Sequence, residues 1–133
     1  MRKFLIVILL LISNLSFGQK WVDDSNFENT IQRNTTFSDD NIKIVVIEFW
    51  AKFNDINSFK NWKQIKNAEY YRVNIEKAPN AKKEYRIRMA PTLIIFKDGI
   101  KEETFKAGLD LECPVDLKEL QETINNIKKS SQF

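Results

Sequence analysis

Apolar positions along the chain follow two rhythms, one of unbroken or alternating runs and one of wider spacing. The run IKIVVIEF at 42–49 is apolar at nearly every position and β-branched at five, which predicts a central strand covered on both faces. Tyr71, Val73 and Ile75 alternate with polar residues and predict a second inner strand. TLIIF, then Asp98-Gly99, then IKEETF is a hairpin signal with a turn suited to positive φ. Residues 20–22 suit a short first strand.

The wider spacing predicts helices. DDSNFENTIQ offers Asp23, Asp24 or Ser25 as a cap, with Phe27 and Ile31 on one face; a polar loop, NTTFSDDN, follows it at 34–41. Ile56, Phe59, Trp62 and Ile65 recur every third position, which predicts a helix with one apolar stripe toward the sheet. Pro79 suits the first turn of a short helix running to about Tyr85, and Pro114 opens a last helix with Leu117, Leu120, Ile124 and Ile127 on one face. The tail KKSSQF is expected to fray. The order β-α-β-α-β-α-β-β-α implies parallel pairings with right-handed crossovers and an antiparallel edge from the closing hairpin. The fold class is α/β: a five-stranded mixed sheet flanked by helices on both faces.

The first residues change the picture of where the chain works. Arg2 and Lys3 precede nine apolar residues, Phe4 to Ile12, and Ser16-Phe17-Gly18 offers a small-residue cleavage site. Residues 1–18 thus read as a secretory signal peptide and 19–133 as one domain, exported to a periplasmic or extracellular space. Spanning a bilayer takes about 20 apolar residues, so stable membrane insertion after cleavage is not expected. Without Arg2 and Lys3 the chain carries 19 basic against 18 acidic residues. That balance argues against a nucleic-acid partner. The cluster Lys82, Lys83, Arg86 and Arg88 around Tyr85 has helical spacing and reads as a solvated helix face.

Candidate chemistry is sparse. The chain has no histidine and a single cysteine, Cys113, so no intrachain disulfide and no Cys/His metal cluster is expected. Past residue 18 its only glycines are Gly99 and Gly108, which leaves no Gly-rich phosphate loop. No cofactor is implied.

From about residue 21 to 128 the chain resembles thioredoxin, on VIEFWA at 46–51, VNIEKAPNAKKEYRIR at 73–88, APTLIIFKDG at 90–99, and Gly108 before the last helix. The resemblance implies a thioredoxin-like fold with Pro91 as the cis-proline. In that family FWA is followed by an aromatic residue and Cys-Gly-Pro-Cys at a helix start; here Lys52-Phe53 is followed by Asn54-Asp55-Ile56-Asn57. A dithiol works because one thiolate attacks a disulfide and the second thiol resolves it. Asn54 and Asn57 do neither. Asn54 or Asp55 reads as a helix cap, the alternative being a hard-cation site of Asn54, Asp55 and Asn57.

The resemblance also places Glu48 where the family keeps a buried acid and Arg72 where it keeps a lysine, which implies an interior ion pair. Cys113 lies outside the family motif. With Pro114 as first helical residue it would be the cap, either a possible reactive thiol or a structural bystander between Glu112 and Asp116. The peptide-binding surface of the family carries over to Phe53, Ala90, Pro91 and Gly108, with Ile56 beside Phe53. The expected function is therefore a redox-inactive module that binds a protein or extended peptide of the cell envelope. The alternatives are a single-cysteine oxidoreductase using Cys113 and a structural subunit of an envelope assembly.

Overall fold

A computed structural model describes residues 18–32 and 42–130. The expected signal peptide (bar Gly18), the polar loop at 34–41 and the last three tail residues lie outside the described residues. Strands β1 (Trp21–Val22), β2 (Ile44–Trp50), β3 (Glu69–Asn74), β4 (Thr92–Lys97) and β5 (Ile100–Lys106) form one sheet in the order β1-β3-β2-β4-β5. Among the described residues three α-helices accompany it: α1 (Phe27–Ile31), α2 (Pro79–Glu84) and α3 (Leu117–Ser130). Among the described residues no helix is long and apolar enough to cross a membrane.

The sheet separates two apolar layers. Val45, Ile47 and Phe49 point from β2 to one side, where they join Phe27, Ile31, Ala81 and Phe96 beneath α1 and α2. Ile44 and Val46 point to the other, where Phe59, Leu93, Leu120 and Ile124 pack with them. Because strand side chains alternate faces, Glu48 falls on this second side, inside the layer that α3 covers. Asp98 and Gly99 both take positive φ, 51° and 85°, as a tight hairpin turn requires.

Several elements differ from the sequence expectation. Strand β4 runs antiparallel to both β2 and β5, so the antiparallel strand lies inside the sheet and not at its edge. After α2 and the left-handed turn at Arg86 (φ 53°) the chain re-enters the sheet in the reverse direction.

No α-helix lies between β2 and β3. Residues Lys52–Asn57 and Trp62–Gln64 form two short 3-10 segments, and the first is broken at Asn54 (φ −121°, ψ 28°). A repeat of three matches the 3-10 helix, and Asn54, Asp55, Asn57, Ser58 and Asn61 carry side chains that compete for backbone groups. Of the expected stripe Phe59 is buried in the core, Trp62 and Ile65 pack half-buried against it, and Ile56 is 82% exposed.

The caps also differ. Neither Asp23, Asp24 nor Ser25 caps α1; Asp24 instead accepts the Asn80 and Ala81 N–H groups of α2, both at 2.9 Å. Helix α3 begins at Leu117 and not Pro114, with Asp116 accepting the Glu119 N–H at 2.8 Å, and it continues through Lys128–Ser130, where fraying was expected. Arg86 and Arg88 lie beyond the end of α2, so the basic cluster is not one helix face.

Candidate functional site

The turn after β2 is held by Asn54. Its Nδ2 donates to the carbonyls of Ala90 and Leu111, both at 2.8 Å, and its Oδ1 accepts from Asn57 Nδ2 at 2.8 Å. Both amide N–H groups and the amide oxygen are thus used, which suits a side chain only 8% exposed. Asn54 ties three segments together: its own turn, the 90–91 loop and the 108–111 turn. Asp55 is not a cap either, since it accepts from Trp50 Nε1 at 2.7 Å.

The residues around this tie divide into two groups. Phe53 is 74% exposed and Ile56 82%. Gly108 is exposed too, and Leu109 beside it is 92% exposed, an apolar tip that sequence reading missed although it stands between Gly108 and Asp110 in the loop AGLDLE. Ala90 and Pro91, expected at the surface, are buried, and the peptide bond between them is cis. The Ala90 carbonyl is occupied by Asn54 and the Pro91 carbonyl by the Ala107 N–H at 3.2 Å. The exposed apolar side chains here are therefore Phe53, Ile56 and Leu109, carried on the two turns that Asn54 joins.

Beneath them lies a polar cluster. Glu48 and Arg72 are direct cross-strand neighbours, with Arg72 Nη2 and Nε each 3.2 Å from Glu48 Oε1. Tyr70 Oη donates to the same oxygen, and Arg72 Nη2 also donates to the Phe59 carbonyl at 3.0 Å. Tyr70 was missed from sequence, although its place two residues before Arg72 in a strand puts both on one face. Burial pushes the Glu48 carboxyl above the usual carboxylate range, against the opposing pull of Arg72 and Tyr70. Burial and the Glu48 charge push the Tyr70 hydroxyl far up, so it remains a donor.

Cys113 is half-buried and is not the cap of α3. Its thiol donates to the Val115 carbonyl at 3.4 Å, and burial pushes its pKa up, with Glu48 acting in the same direction. Both effects oppose a thiolate. Among the described residues no three His, Cys, Asp or Glu side chains are grouped to hold a metal ion.

The thioredoxin family model matches residues 19–126. The chain belongs to the thioredoxin family. Among solved structures it is similar to the thioredoxin of Malassezia sympodialis, at 21% identity and TM-score 0.54, covering 84% of this chain and 91% of that one. Plasmodium falciparum thioredoxin follows at 17% identity and TM-score 0.55, with 80% and 97% covered. Thioredoxin f2 of Chlamydomonas reinhardtii gives 14% identity and TM-score 0.59, with 83% and 96% covered. No curated protein sequence matches the chain. At these identities the structures speak for the fold. Within that thioredoxin fold this chain has one cysteine and no Cys-x-x-Cys pair.

Proposed function

We propose that this thioredoxin-family domain is an exported, redox-inactive module that binds an extended segment of another envelope protein. The observation that carries the reading is Asn54, whose amide fills a buried position with three hydrogen bonds where the resemblance places a reactive thiol. A carboxamide cannot attack a disulfide, but it fixes the two turns that carry Phe53, Ile56 and Leu109. Apolar side chains held on a rigid frame are what a peptide anchor needs. The raised pKa of Cys113 supports the same reading, since a protonated thiol is a poor nucleophile. The charged start and nine-residue apolar run at the N-terminus support export.

The test has two arms. Wild type and Cys113→Ser should show no insulin-disulfide reduction above the uncatalysed rate; turnover retained in Cys113→Ser would refute redox inactivity. A photocrosslinker placed at Phe53 should trap a partner in the envelope, and Phe53→Ala should weaken that partner's binding by at least about 1 kcal/mol. Equal binding by Phe53→Ala and Leu109→Ser would place the binding surface elsewhere.

A further inference from the structure

The end of α2 breaks a local rule. The Ile87 N–H bonds to the Lys82 carbonyl at 2.9 Å and the Arg86 N–H to the Lys83 carbonyl at 3.2 Å, the pair of bonds that closes a helix through a left-handed residue. That residue is Arg86, at φ 53°. Glycine is the usual occupant because a Cβ there is sterically costly. Nothing in the local hydrogen bonding calls for an arginine, so the side chain has to be explained by what it faces.

It faces a hollow of about 390 Å³ lined by Arg86, Arg88 and Lys106, with Met89, Thr92 and Ala107 between them. No carboxylate lines it. A second hollow of about 540 Å³ shares Arg86 and Arg88 and adds Lys82 and Lys83 against one acid, Glu76. Among the described residues none of these five cations makes an ion pair. With 19 basic against 18 acidic residues past the leader, this concentration of charge is local and not a property of the whole chain. The Lys82 and Lys83 carbonyls, which would repel an anion, are already occupied by the closing bonds.

We infer that the two hollows, which share Arg86 and Arg88, bind an acidic extended segment, with Arg86 and Arg88 taking its carboxylates and Met89 and Ala107 accommodating the intervening side chains. Guanidinium groups suit carboxylates in two-bond geometry, and five cations spread over two hollows with Met89 and Ala107 among them fit a peptide with several carboxylates better than a compact ion. The hollow adjoins the 90–91 loop, so the inference rests on the binding reading above and gives that partner its charge: an acidic stretch beside the residues that meet Phe53.

The experiment uses a labelled peptide of alternating Glu and Ser and its Gln/Ser counterpart, with binding followed by fluorescence anisotropy on the intact domain. Wild type should prefer the Glu peptide, and raising salt should weaken that binding. Arg86→Gly should weaken it about fivefold, as should Arg88→Gln. Arg86→Gly should at the same time keep or raise its thermal midpoint, which separates lost recognition from lost folding. Phe53→Ala distinguishes the two readings, since retained Glu-peptide binding there with loss in Arg86→Gly supports the cationic hollow whatever becomes of the apolar turn. Equal binding of the Glu and Gln peptides, or of the Glu peptide by wild type, Arg86→Gly and Arg88→Gln, would overturn the inference. Binding to phosphatidylserine vesicles without binding to the Glu peptide would overturn it in favour of a membrane surface.

Discussion

The side chain of Asn54 donates a 2.8 Å hydrogen bond to the carbonyl of Ala90, 36 residues further along the chain. With its second bond to Leu111 it satisfies two backbone acceptors at once. Asn54→Ala strands both, and an unsatisfied buried group costs about 1–3 kcal/mol. The expected loss is about 2–4 kcal/mol in urea unfolding, with greater hydrogen exchange at 108–111. Asn54→Asp should be worse, because a carboxylate would face the two carbonyls without a proton to donate. A loss below about 0.5 kcal/mol for both variants, the range of an ordinary surface change, would show that the tie is incidental.

Arg72 and Glu48 should behave as one unit. Removing one partner of a buried pair typically costs about 3–5 kcal/mol, because the other charge is left uncompensated. Arg72→Met is therefore expected to destabilise the domain more than Glu48→Gln combined with Arg72→Met, which leaves only a neutral amide. The double-mutant cycle in chemical denaturation measures the coupling directly. Additive losses would mean that Arg72 is held by Phe59 and Trp21 instead, over whose ring its guanidinium lies at 5.8 Å.

The raised pKa of Glu48 gives a pH dependence of defined sign. The folded state holds the Glu48 proton to a higher pH than the unfolded chain does, so folding favours the protonated form. This contribution is present below the unfolded value of 4.5 and is lost as pH rises through the higher folded value. Glu48→Gln cannot titrate. Across a series of urea midpoints from acid to neutral pH, wild type should lose stability relative to Glu48→Gln as pH rises. A parallel course for the two proteins would show that the carboxyl is not perturbed.

Sequence periodicity was enough for the strands, because buried β-branched runs such as IVVI in β2 have few other places to go. It was not enough for the segment after β2. There a spacing of three fits either helix type, and the choice fell to Asn54, whose side chain bonds to the distant Ala90 and Leu111 carbonyls. The same reason hid the cap of α2, since Asp24 lies 56 residues before Asn80 and no local pattern links them. The cross-strand pair of Glu48 and Arg72 was reached through resemblance, whereas Tyr70 needed the register of β2 against β3. At the site, exposure was the hidden quantity: Ala90 and Leu109 are both small-to-medium apolar residues in loops, and only packing makes one 3% and the other 92% exposed.

Restoring both cysteines tests whether the scaffold still fits the chemistry that Asn54 replaced. The Asn54 and Asn57 side chains meet at 2.8 Å, as residues three apart do when a 3-10 turn brings them over one another. Asn54→Cys with Asn57→Cys is therefore expected to form an intramolecular disulfide on oxidation, since that bond needs close and converging Cβ atoms. After oxidation, thiol titration of the unfolded protein should find only Cys113. The reduced form should be less stable than wild type by about 2 kcal/mol, because a thiol is a weaker donor than the amide and cannot serve both the Ala90 and Leu111 carbonyls. Three titratable thiols after prolonged oxidation of the folded protein would show that the turn holds positions 54 and 57 in a geometry a disulfide cannot bridge. In that case the asparagines mark a remodelled loop, and the likeness to a redox turn ends at Phe53.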